Sequence, residues 1–93
     1  MAYTIGHFPG VKKKILSLAE KAKERGIRKA FLDALTEITV KLRTRPLEWG
    51  DPEYNTNIEG GVVCHGIVHP VWVRFSVHEP EQSVLIFDVQ LLT

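Results

Sequence analysis

The most constraining feature of this chain is a change of hydrophobic period near its middle. From Val11 to Leu42 apolar residues recur every three or four positions, and from Val71 to Leu91 they recur every two. The first spacing marks one face of a helix and the second one face of a strand. A chain patterned this way must place helices before strands and bury one kind of surface against the other.

Val11, Ile15, Leu18, Ala19 and Ala22 form the first helical stripe, and Ile27, Phe31, Ala34, Leu35, Ile38 and Leu42 the second. Pro9 precedes the first helix, where a missing N–H costs little. Gly26 suits its C-terminus, since glycine takes positive φ without a steric penalty. Pro46 ends the second helix, because the residue before a proline is pushed out of the α region. The short Arg25–Gly26 junction makes the pair a helix hairpin.

Ala2–His7 alternates weakly and reads as a short edge strand. PLEWGDPEYNTNIEGG, residues 46–61, reads as loop, on its prolines, glycines and asparagines. Gly61–Val68 reads as a strand whose phase is left open, and His69–Pro70 as a turn. Val71, Val73, Phe75 and Val77 then face one way, and Trp72, Arg74, Ser76 and His78 the other. After a turn at residues 79–82, Leu85, Phe87, Val89 and Leu91 are expected in the core, with Asp88 and Gln90 on the far side.

The order strand, helix, helix, strand, strand, strand predicts an α+β domain spanning residues 1–93. The helix hairpin should pack on one face of an antiparallel sheet, leaving the other face to water.

Net charge is +1, too small for a dedicated nucleic-acid binder. Eleven of the twelve lysines and arginines lie in residues 12–45, so any electrostatic footprint belongs to the first half. No apolar run approaches the about 18–20 residues that cross a bilayer, and the first residues do not resemble a secretory signal. The single cysteine, Cys64, excludes an internal disulfide, and the expected location is cytoplasmic.

Chemistry-bearing residues gather on the polar side of the strands: Trp72, Arg74, His78, Asp88 and Gln90, joined by His65 and His69 if their strand has the odd phase. An arginine and a histidine on one open surface can hold a phosphate and move a proton near neutral pH. The same residues also suit the wet side of any half-exposed sheet, with Arg74 and Asp88 paired across neighbouring strands. Trp72 is unusual on a polar face and points to a contact surface. Trp49 and Tyr54 read as lids over the core. Lys12, Lys13 and Lys14 form a basic patch suited to an acidic partner or RNA, or a solvated helix face. No cofactor or metal is expected: His65 and His69 on one strand stand about 13 Å apart, too far to share an ion. Cys64 reads as a small buried hydrophobe.

The element order, the stretch FLDALTEITVKLRTRPLEWGDPEY and the stretch HPVWVRFSVHEPEQSVLIFDV together resemble the RelE/ParE superfamily of type II toxin–antitoxin toxins. That resemblance implies a β-α-α-β-β-β fold, an antitoxin as partner, and a target in translation (ribosome and mRNA) or replication (gyrase). It also implies, for RelE-like members, mRNA cleavage by basic residues around the strands and a basic or aromatic tail. Here Trp72 stands where an arginine is expected three positions before Phe75, and the residues after Leu91 are not basic or aromatic. The first expectation is therefore a toxin-like protein that acts by binding. The second is a ribosome-dependent mRNA endonuclease in which Arg74 holds phosphate and His78 or His65 serves as acid or base. The third is a non-toxic relative that forms a homodimer around Trp72.

Overall fold

The computed structural model describes residues 2–55 and 61–92. Its elements run β1 (Thr4–His7), α1 (Val11–Glu24), α2 (Arg28–Thr44), a single helical turn α3 (Pro46–Trp49), β2 (Asp51–Asn55), β3 (Gly61–Val68), β4 (Val71–His78) and β5 (Ser83–Leu91). The strands form one sheet in the order β1-β5-β4-β3-β2. β2 through β5 pair antiparallel, while β1 lies parallel to β5. The α+β class and the helix hairpin follow the sequence pattern. The sheet differs from expectation in its one parallel edge, because β1 pairs with β5, and α1 through β4 lie between the two strands in place of a tight turn.

Both helices bury the stripes their spacing marks. Val11, Leu18 and Ala22 of α1 and Phe31, Ala34, Ile38 and Leu42 of α2 are buried, with Ile15, Ala19, Ile27 and Leu35 packed beside them. Gly26, at φ 74°, closes α1. The Gly26 N–H donates to the Lys23 carbonyl and the Ile27 N–H to the Ala22 carbonyl, so two orphan carbonyls of the last turn are satisfied.

Val71, Val73, Phe75 and Val77 of β4 lie in the core, as alternation predicts. β3 takes the odd phase: Cys64 is buried in the core, so Val63, His65 and Ile67 face the other side. His69 falls in the exposed turn after β3 and joins no cluster.

Two readings are corrected. On β5, Val84 and Ile86 face the core in place of Leu85 and Phe87. The register passes from Arg74↔Asp88 to Phe75↔Ile86, so Phe87 is an extra residue in a bulge, and the bulge flips the alternation. Val89 and Leu91, beyond it, face the core as expected. The second correction concerns the stretch read as loop. It holds α3 and β2, and residues 56–60 lie outside the described residues. Pro52 is tolerated because β2 is an edge strand.

Trp49 does act as a lid: it stacks on Phe75 with centroids 5.8 Å apart and covers Gly66. Tyr54 does not, being 59% exposed. Cys64 is buried, and burial raises its thiol pKa, helped by the Glu53 and Asp51 charges.

Candidate functional site

The sheet face turned away from the helices carries a row of ionisable residues in register. Asp51 of β2 lies opposite His65 of β3, His65 opposite Arg74 of β4, and Arg74 opposite Asp88 of β5. A bulge flanks the row on each side. In β2 the register passes from Pro52↔Cys64 to Tyr54↔Val63, so Glu53 is the extra residue. Bulges re-aim side chains, and this one places Glu53 between His65 and Arg74.

The Glu53 carboxylate then gathers the centre of the site. Its Oε2 accepts from His65 Nδ1 at 3.0 Å and from Arg74 Nε at 3.3 Å. A carboxylate only accepts, so the proton of that bond sits on His65 Nδ1. His65 Nε2 lies 3.8 Å from Asp51 Oδ2. The Arg74 guanidinium sits 5.1 Å from the Trp72 ring centroid, close enough for a cation–π contact. The His65 ring lies nearly parallel to Trp72 at 6.3 Å. Trp72, His65, Arg74 and Glu53 therefore form one cluster of aromatic, base, cation and carboxylate.

Asp88 has other partners. Arg74 and Asp88 are opposite in register, yet Arg74 turns to Glu53, and Asp88 bonds to Lys14 of α1. This replaces the expected Arg74–Asp88 pair. Two features of the fold make it possible: β1 pairs with β5 only as far as His7↔Ile86, and the bulge at Phe87 lets Asp88 meet α1 past that end. The Asp88 carboxylate also accepts from the Gln90 side-chain amide at 3.0 Å and from the Val89 N–H at 2.9 Å. Burial alone would raise the Asp88 pKa, but the bonds from Lys14, Gln90 and Val89 outweigh it and hold it below the usual carboxylate value.

The face is not wet throughout. Toward one end Ser76 and Val63 are each 1% exposed, and Ser76 Oγ shares a hydrogen bond of 2.9 Å with His78 Nε2. His78 is four positions from Arg74, about 13 Å along the strand, and stands apart from the cluster. Toward the other end Trp72, Gln90 and Leu92 line a hollow of about 260 Å³. Ile67, opposite Trp72 in register, is exposed there.

Of the residues singled out from sequence, the structure brings His65, Trp72 and Arg74 together and sets Asp88 and Gln90 beside them. It leaves His78 at a distance. Lys14 joins Asp88, while Lys12 and Lys13 stay exposed on the first turn of α1. The residue missed is Glu53. Its signal was weak, a carboxylate in a Pro- and Gly-rich stretch, and only strand register reveals its position.

No family model matches the chain, and no curated protein matches it in sequence. Among solved structures, the crystal structure of the archaeal RelE–RelB complex from Pyrococcus horikoshii OT3 contains a similar chain. The match covers 98% of this chain and 96% of that one, with a TM-score of 0.67 and 17% identity. The protein thus has the α+β architecture of a RelE-like fold, with the helix hairpin on one side of the sheet. Among the described residues no helix is long and apolar enough to cross a membrane.

Proposed function

We propose that this protein is the toxin-like member of a toxin–antitoxin pair, acting in the cytoplasm by binding a translation or replication target and neutralised by an antitoxin protein. The reading is supported by the RelE-like fold over nearly the whole chain. It is supported equally by the cluster of Trp72, His65, Arg74 and Glu53 on the face the helices leave uncovered. An aromatic ring with a cation stacked on it is the chemistry of an interaction hot spot. Arg74 is already stacked and hydrogen-bonded, so it loses little side-chain freedom on binding. Growth arrest on expression alone, relieved by co-expressing the product of an adjacent small gene, is the expected result. Harmless expression of folded protein would overturn the reading and favour a homodimeric interaction module.

A second reading, ribosome-dependent mRNA cleavage, is favoured by one observation. His65 and Arg74 share the Glu53 carboxylate, so a proton-transfer group and a phosphate-binding cation lie within one cluster. It predicts transcript cleavage on translating ribosomes that Arg74→Ala abolishes and His78→Ala spares. Intact transcripts with the wild-type protein would exclude it.

A further inference from the structure

Four charged side chains cross the sheet in an order that allows two pairings. Lys14 of α1 holds Asp88 of β5, and Arg74 of β4 holds Glu53 of β2. Yet Arg74 and Asp88 are partners in register, so their side chains leave the same face with Cβ atoms about 4.5–5.5 Å apart. Arg74 stands between two carboxylates, and it has taken the one that lies two strands away.

The state of Asp88 explains that choice. Its carboxylate already accepts from Lys14, from the Gln90 amide at 3.0 Å and from the Val89 N–H at 2.9 Å. With its charge matched by Lys14, it has little to offer Arg74. The Arg74–Glu53 bond is itself modest. It runs through Nε at 3.3 Å, beyond the usual range of about 2.7–3.2 Å, whereas a guanidinium binds a carboxylate best through two parallel N–H bonds. Glu53 does not depend on Arg74 either, since His65 Nδ1 donates to the same oxygen at 3.0 Å. With Lys14 withdrawn, Asp88 keeps two neutral donors and loses its cation, although its side chain is only 31% exposed. A carboxylate so placed draws in the cation opposite it in register, which is Arg74. Arg74 then gives up one long bond and gains another charged partner, so the exchange costs little.

We propose that Lys14 is the positioning residue of a two-state relay across the sheet. While Lys14 holds Asp88, Arg74 stays with Glu53. When Lys14 is drawn away, Arg74 crosses to Asp88, and Glu53 is left to His65 alone. An anionic group that captures Lys14 on the first turn of α1, beside the exposed Lys12 and Lys13, thereby acts on the cluster around His65 without touching it. By linkage, an occupant of the cluster that keeps Arg74 beside Glu53 strengthens the Lys14–Asp88 bond to the same degree. The relay goes beyond the toxin-like reading, which supplies only a use for the cluster.

The isotope-labelled full chain is followed by NMR. The Arg74 Nε–H signal is identified by its loss in Arg74→Lys, and the His65 ring signals by their loss in His65→Gln. Lys14→Met and Lys14→Gln, which remove the charge in two different ways, are each expected to displace both sets of signals. Lys14→Arg, which keeps the charge, should leave them near their wild-type positions. In an Asp88→Asn background residue 88 has no charge to draw Arg74 across, so Lys14→Met should leave both sets unmoved. Arg74 and His65 signals that stay in place in Lys14→Met and Lys14→Gln overturn the proposal. So does an equal displacement in the Asp88→Asn background, or one that Lys14→Arg shares. A displaced Arg74 signal in a protein harmless to cells would sink the toxin reading and leave the relay standing. Growth arrest with an unmoved Arg74 signal would do the reverse.

Discussion

Gly66→Ala tests whether Trp49 closes the core as a lid. A Cβ at residue 66 would lie 2.7 Å from both Cζ2 and Cζ3 of Trp49, and closer still to Cη2. Ordinary carbon contacts are about 3.5–4.0 Å, so the ring must retreat by about 1 Å. It cannot slide inward, because its other contact is the stacked Phe75, itself fully buried. The ring therefore swings out. A tryptophan buries about 150–250 Å² when packed, and losing half of that at about 25 cal/mol per Å² costs about 2–3 kcal/mol. Replacing a strand glycine by alanine returns about 0.5–1 kcal/mol. The net expectation is a loss of about 2 kcal/mol, or a fall in Tm of about 8–16 °C for a domain of this size. Urea denaturation at 25 °C with near-ultraviolet circular dichroism measures both the stability and the tryptophan environment. In a Trp49→Ala background the same substitution should be neutral or stabilising, giving a coupling energy of about 2 kcal/mol. A Gly66→Ala protein within about 0.5 kcal/mol of wild type, or an equal cost in both backgrounds, would refute the argument.

Three further outcomes are expected. The folded pKa of Asp88 lies below its unfolded value, so its carboxylate adds stability above about pH 4 and loses that contribution as pH falls through the lower folded value. The stability gap between wild type and Asp88→Asn should therefore shrink on acidification in a series of melts from neutral pH downward, and a constant gap would count against the Lys14 bond. The first turn of α1 holds Lys12, Lys13 and Lys14 and no acidic residue, which opposes the helix dipole. Lys13→Glu should raise stability by about 0.3–1 kcal/mol in chemical denaturation at low salt. Cys64 is fully buried with a raised thiol pKa, so a thiol reagent should label it only as fast as the protein opens, and labelling should speed up with added urea.

The helix hairpin was legible because each stripe is long and unbroken, and β4 because Val71, Val73, Phe75 and Val77 alternate without interruption. β2 was not legible. Pro52 and the surrounding glycine and asparagines read as loop punctuation, and an edge strand tolerates them because only one side of it pairs. The two bulges were equally hidden. Strand parity is read by counting, and one inserted residue, Glu53 or Phe87, changes the count without changing composition. Counting alone therefore puts Leu85 and Phe87 on the wrong face and gives Glu53 no place in the site. The Arg74–Asp88 pairing failed for a related reason: register made them neighbours, but each had a competing partner, Glu53 and Lys14, on an element that local pattern does not locate.

The strand order has a consequence for synthesis. β5 sits between β1 and β4, so β1, made before the other four strands of this sheet, has no sheet neighbour until residues 83–86 emerge. Until then β1 waits and β4 presents a bare hydrogen-bonding edge, which invites pairing with other chains. The charged face also lacks Asp88, and α1 lacks its bond from Lys14, until β5 is made. Until residues 83–86 have emerged the helices and a partial sheet stand without β5, and the finished surface arrives only with that strand.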